Sequence, residues 1–198
     1  MDATTICNYA LARLGEARIT DIDTGTDAVS RACLLHYAIT RDSVLRSHPW
    51  NFATKQVLLE WTDGDDTPAF DWDYQMSLPS DFLRVTECNY DGRQLPFRLQ
   101  EGLLLTNSKK AEIWYVYRNV TPTSYDPIFI EALALRLAEK LATSLRGSSA
   151  QVVDFGAEYE RITAPLARRI DANEGERKLK PLNSAFINAR FQEWGGPR

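Results

Sequence analysis

Apolar residues recur every three or four positions over both flanks of this chain and every two positions over its middle third. A helical body interrupted by a β segment is the architecture that accommodates both periods. Ile6, Tyr9, Ala10 and Leu14 predict a first helix, capped by Thr4 or Thr5 and stopped at Gly15. After a turn-rich loop over residues 20–27, a second helix carries Val29, Cys33, His36 or Tyr37, Thr40 and Val44 on one stripe. Ala28, Ala32, Leu35 and Ile39 form another stripe, so this helix is expected to be broadly buried. Pro49 biases His48 away from helical angles and predicts a stop near Ser47.

From residue 52 to 118, Val57, Leu59 and Trp61 alternate with Gln56, Leu58 and Glu60, and Gly, Pro and Asp clusters punctuate short apolar runs. Strands are predicted over residues 82–90, 94–99, 103–106 and 111–118, with a hairpin turn at Asp91-Gly92 and a break near Gly102. Helical spacing then returns through Ile130, Leu133, Ala134, Leu137, Ala138, Leu141 and Leu145 until Gly147. A fourth helix places Val152, Phe155, Tyr159, Ile162, Leu166 and Ile170 on one stripe, kinked at Pro165. The expected class is α+β: a four-helix body with a small antiparallel β domain inserted between its helix pairs. Residues 1–50 and 120–173 form the body, 51–119 the insert and 174–198 an extended tail.

With 44% hydrophobic and 25% charged residues, 198 residues suffice for a real core, which excludes wholesale disorder. No apolar run approaches the roughly 18 residues of a membrane span, and the start lacks a secretory pattern, so a soluble chain made in the cytoplasm is expected. Twenty-seven acids against twenty-three bases give a net charge of -4, which disfavours a tight, sequence-independent grip on phosphates. Cys7, Cys33 and Cys88 are odd in number and widely spaced, as expected of reduced thiols. Two histidines without ligand-spaced partners, and no glycine-rich phosphate loop, leave no expected metal or cofactor.

The densest polar constellation is Asp63, Asp65, Asp66, Asp71 and Asp73, interleaved with Trp61, Phe70, Trp72 and Tyr74. Paired carboxylates beside aromatics suit sugar binding or glycoside hydrolysis, while the plain alternative is a solvated acidic loop with inward-turned rings. Asp63-Gly64-Asp65-Asp66 is a fragment of a calcium-loop pattern without its twelve-residue spacing. His48 is expected to cap the second helix against its dipole, and His36 to be a partly buried, hydrogen-bonded residue. Arg161 and Arg168 lie seven apart with Arg169 adjacent, a candidate subunit interface or a solvated face paired with acids. Trp50 and Phe52 are expected to anchor the passage into the β segment, with both rings on one side if the backbone there is extended.

The run Asn8-Tyr9-Ala10-Leu11-Ala12-Arg13-Leu14-Gly15-Glu16, then Ile19-Thr20-Asp21, a helix opening at Asp27-Ala28 and ending in Arg41-Asp42-Ser43-Val44-Leu45-Arg46-Ser47-His48-Pro49-Trp50-Asn51-Phe52-Ala53, resembles the tail tubular protein A family. These are the head-to-tail adaptors of short-tailed bacteriophages. Tyr74-Gln75-Met76-Ser77-Leu78-Pro79-Ser80-Asp81 is similar to the family's Y-x-x-x-x-P-x-D segment, and the helix over residues 129–142 matches too. The likeness covers most of residues 8–173, and its most specific element is Leu14-Gly15 joined to Trp50-x-Phe52 about thirty-five residues later.

The resemblance implies a non-enzymatic virion component at the head-tail junction. It implies a ring, of twelve copies in the virion, between portal protein and tail nozzle protein, with DNA passing through its lumen. An acidic conduit suits a sliding polyanion, and heterologous contacts close rings. The class-level alternatives are a carbohydrate-binding or carbohydrate-hydrolysing tail protein using the Asp/Trp loop, and a DNA-binding accessory. In the tail, Leu182, Phe186, Phe191 and Trp194 are expected to dock on the portal or a neighbouring subunit, aided by Arg177, Lys178, Lys180 and Arg190. Alone, a segment so rich in Gly and Pro is expected to be flexible.

Overall fold

A computed structural model describes residues 1–62, 66–146 and 149–174. The fold is α+β, with helices before and after two small antiparallel sheets. Helix α1 spans Ala3–Leu14. Its cap is Asp2 rather than Thr4 or Thr5: the carboxylate accepts from the Thr5 N–H at 2.8 Å and the Thr5 hydroxyl at 2.6 Å. Thr4 instead uses its hydroxyl to accept from the Ile22 N–H. Gly15 ends the helix at φ 69°, a left-handed conformation that costs glycine little. Asn8 clamps the following loop, donating to the Ile19 carbonyl and accepting from the Ile19 N–H.

Helix α2 spans Ala28–Ser47, capped by Asp27 through the Val29 and Ser30 N–H groups. The Ser30 hydroxyl also donates to Asp27 at 2.6 Å. A Cβ on Gly25 would lie 2.2 Å from Ser30 Oγ and 2.9 Å from the Asp21 carbonyl oxygen. Gly25→Ala is therefore expected to cost about 1–3 kcal/mol by overpacking this corner, read as a lower urea midpoint with unchanged slope; an unshifted midpoint would show that the loop yields freely.

Hydrogen bonds from Thr5 and Ser30 hold the Asp2 and Asp27 carboxyls below their ordinary value of 3.8. A depressed carboxyl pKa contributes stability above the unfolded value and loses it as pH falls through the folded one. Acidification below about pH 4 is thus expected to fray the starts of α1 and α2. Asp27→Ala should flatten that dependence, and identical pH profiles for variant and wild type would refute the capping account.

The α2 surface departs from the expected broad burial. Cys33, Tyr37, Thr40 and Val44 are buried, but Leu35 is 65% and Ile39 71% exposed, and Leu34 is also exposed. One stripe suffices to pack on the central helix α3, Pro127–Leu141, and nothing among the described residues covers the other. Helix α3 is capped by Asp126 and buried along most of its length. It continues as a π turn at Ala142–Arg146. The fourth helix is two segments, α4 at Ser149–Glu158 and α5 at Ala164–Glu174, joined by a π turn at Tyr159–Thr163. The interruption thus precedes Pro165, whose missing N–H falls in the first turn of α5.

Strands β1 (Thr54–Glu60), β3 (Phe82–Tyr90), β4 (Arg93–Gln94) and β7 (Lys110–Tyr117) form one sheet in the order β1-β7-β3-β4. Strands β2 (Tyr74–Ser77), β5 (Phe97–Gln100) and β6 (Leu103–Thr106) form the other in the order β2-β6-β5. The run expected over 94–99 is split at Leu95 and Pro96, so β4 and β5 belong to different sheets. Asp91-Gly92 and Glu101-Gly102 each turn a hairpin with positive φ at both positions, as two-residue loops require. Met76, Val85, Cys88, Leu104, Ala111, Ile113 and Tyr115 fill the core of the β segment. Leu83 and Val116 instead join the helical core, so β3 and β7 reach both. Among the described residues no helix is long and apolar enough to cross a membrane.

Candidate functional site

The junction between helices and sheets is built around Trp50, 1% exposed. Its ring meets Phe129 edge-on at 5.1 Å and His48 at 4.9 Å, and its Nε1–H donates to the Val44 carbonyl at 3.0 Å. Phe52 packs on Phe129 at 5.0 Å and Tyr125 at 5.7 Å. The two rings reach this common cluster although the backbone between them is not extended, since Asn51–Ala53 forms a 3-10 turn. Leu14 is buried in the same helical core.

His48 is the C-cap residue of α2, as expected, but its imidazole turns to Asp171 and not to the helix carbonyls. The last carbonyls of α2 are served by Ser47 Oγ and Trp50 Nε1 at Val44, and by Arg84 at Arg46. His48 Nε2 lies 3.0 Å from Asp171 Oδ2, and Asp171 Oδ1 accepts from the Asn51 N–H at 2.9 Å. Asn51 Nδ2 donates to the Asp171 carbonyl at 2.6 Å. Asp171 is nearly buried, so α5 is tied to the end of α2 by directional bonds. Arg46 adds a hydrogen bond to the Leu83 carbonyl, and Arg118 pairs with Asp42 at 2.8 Å, locking the sheet to α2. Burial raises the Asp81 carboxyl, but its bonds to Lys55 and Tyr115 outweigh that and leave it lowered. His36 is half-buried and hydrogen-bonded to Ser144 Oγ at 2.6 Å.

Apolar residues stand exposed on several helices. Leu34, Leu35 and Ile39 line an open face of α2, while Val153 and Ile162 project from α4 and its π turn. Between α1 and α3 lies a groove of about 460 Å³, walled by Tyr9, Ala12 and Arg13 on one side and Ile130, Glu131 and Ala134 on the other. Arg13 also pairs with Glu158 of α4 at 2.9 Å. Of the three arginines marked as a candidate interface, Arg161 and Arg169 are exposed and Arg168 is half-buried near Tyr159, so they do not form one uniform face. The π turn shifts the helical phase between them.

Asp63 and Asp65 of the acidic loop lie outside the described residues. Asp66 accepts from Trp61 Nε1 through its carbonyl at 3.4 Å. Asp71, at φ 69°, lines a cavity of about 180 Å³ with Phe70, Trp72, Arg98 and Glu101. Asp73 is outside that lining, and its N–H donates to Asn107 Oδ1. Phe70 is 76% exposed rather than turned into the core. Cys7, Cys33 and Cys88 are free, buried thiols. The hydrogen bond to Cys33, with burial, pushes the Cys7 thiol up, and burial alone raises Cys88 to about 11, so neither is an activated nucleophile. Among the described residues no cluster of three His, Cys, Asp or Glu side chains is placed to hold a metal ion. Leu182, Phe186, Phe191 and Trp194 of the tail lie outside the described residues.

No protein-family model and no curated protein matches this chain. Sequence reasoning did not single out Asp171, Tyr125 or Phe129. Asp171 sits in an otherwise charged stretch with no local signature, because its partners are about 120 residues away. The groove likewise depends on where α1 and α3 meet.

Proposed function

We propose that this chain is a structural adaptor of a bacteriophage virion, forming a ring between portal and tail nozzle through which DNA passes. The observation that carries the reading is the uncovered apolar face of α2, Leu34, Leu35 and Ile39, with further exposed apolar side chains, Val153 and Ile162, on the fourth helix. A closed ring needs two different surfaces per copy that fit one another, and apolar faces left open in one subunit are what such contacts cover. The resemblance of residues 8–173 to tail tubular protein A supports the same reading, with Asn8, Gly15, Trp50 and Phe52 in demanding structural positions. A net charge of -4 suits a lumen that does not trap a polyanion.

The protein works as a scaffold and not as an enzyme in this proposal. The tail, residues 174–198, engages the portal or a neighbouring subunit in the finished assembly. Native mass measurement with and without purified portal tests it: portal should nucleate a cyclic oligomer, and Ile39→Asp should prevent it while leaving the monomer folded. A chain that stays monomeric with portal present, or Ile39→Asp rings indistinguishable from wild type, would overturn the reading. So would hydrolysis of host surface polysaccharide lost on Asp71→Asn, which would favour the Asp/Trp loop as an active site.

A further inference from the structure

Two unpartnered surfaces of the helical body complement one another. On α2, Arg31, Leu35 and Ile39 recur at four-residue spacing and so form one ridge along the helix, with Leu34 beside it. Leu35 is 65% and Ile39 71% exposed, and Arg31 is exposed with no ion pair among the described residues. The groove between α1 and α3 is the matching concavity. Ile130 and Ala134, both buried, line it together with the small Ala12 and the exposed ring of Tyr9. Its charges leave one acid for an incoming base: Arg13 is already paired with Glu158, whereas Glu131 is exposed with no ion pair among the described residues.

Within one copy the two surfaces point away from each other, so neither covers the other. Helices α1 and α2 meet where the Cys7 and Cys33 thiols share a hydrogen bond. At about 100° per residue, Tyr9, Ala12 and Arg13 lie roughly 140–240° round α1 from Cys7. Arg31, Leu35 and Ile39 lie roughly 160–240° round α2 from Cys33. Ridge and groove therefore stand on opposite sides of the α1/α2 pair, and a ridge can fill only the groove of another copy. Complementary surfaces on opposite sides of a subunit make a head-to-tail contact, which generates a ring when the rotation between successive copies closes.

We infer that the ridge of Arg31, Leu35 and Ile39 on α2 of one copy seats in the α1/α3 groove of the next, with the Arg31 guanidinium against the Glu131 carboxylate. This contact rests on the adaptor reading, whose open α2 face it supplies with a mate. Burial of Leu35 and Ile39 against Ile130 and Tyr9 removes apolar surface from water on both copies, and the small Ala12 and Ala134 let the incoming helix approach closely. The ion pair sets register and suppresses the wrong orientation more than it adds affinity.

The test combines photo-cross-linking with charge reversal in the full chain, with and without purified portal. Leu34→p-benzoylphenylalanine, at the edge of the ridge, should give light-induced adducts that map to residues 9–13 or 127–134. They should join heavy to light copies when two isotopic forms are mixed. Arg31→Glu and Glu131→Arg should each lower the adduct yield about tenfold, while the melting temperature of these exposed-site variants stays at the wild-type value. Combining both changes in one chain, or mixing the two single variants, should restore the yield to within about twofold, because every ridge again meets a groove of opposite charge. Adducts confined to one copy, adducts in other segments only, none in either condition, a yield indifferent to both reversals, or a loss that the swapped pair does not restore would each overturn the inference. Rings that form on the portal despite such a failure would leave the adaptor reading intact. Swap-sensitive adducts between copies that never form rings on the portal would sustain this contact and remove that reading.

Discussion

Trp50→Ala is expected to destabilise the protein by about 3–5 kcal/mol, the range for removing a fully buried large aromatic. For a chain of this size that lowers the melting temperature by roughly 6–20 °C. The effect comes from three sources on one residue. The ring is 1% exposed, it packs edge-on against Phe129 and His48, and its N–H serves the Val44 carbonyl near the end of α2. Truncation leaves a cavity in the cluster of Phe52, Tyr125 and Phe129 and an unserved carbonyl. Trp50→Phe should recover most of the packing but not the hydrogen bond, and so lose less. A melting temperature unchanged in Trp50→Ala would mean that the ring is no part of the core.

Asp171→Ala is expected to cost about 2–3 kcal/mol, because removing a nearly buried charged acceptor leaves its donors without partners. Those donors are the Asn51 backbone N–H at 2.9 Å and His48 Nε2 at 3.0 Å. Asp171→Asn keeps an acceptor for Asn51 and should cost less. In a double-mutant cycle with His48→Ala the two losses should be non-additive by about 1 kcal/mol, since each single change already breaks the shared bond. Strict additivity in chemical denaturation would mean that the His48 contact contributes nothing to stability. Loss of Asp171 should also free α5 from the α2 end, read as faster amide exchange in residues 164–174.

The features legible in the sequence are those set by local physics. Periodicity marked α1, α2 and α3, Gly15 and Pro49 marked two boundaries, and Asp91-Gly92 marked a hairpin, since each depends on backbone angles or spacing within a few residues. Locality also explains small errors: Asp2, Thr4 and Thr5 are all competent caps, and only the loop through Ile22 drew Thr4 away. Strand β2 was missed because a four-residue run between Asp73 and Leu78-Pro79 carries too little alternation, and it exists because β6 pairs with it. The tertiary structure alone decided which of α2's two apolar stripes is buried, since that depends on how many neighbours pack on the helix and not on its own pattern. It alone turned the imidazole of the C-cap residue His48 to Asp171. It also formed the α1/α3 groove from residues more than a hundred positions apart, a separation across which sequence spacing carries no geometric information.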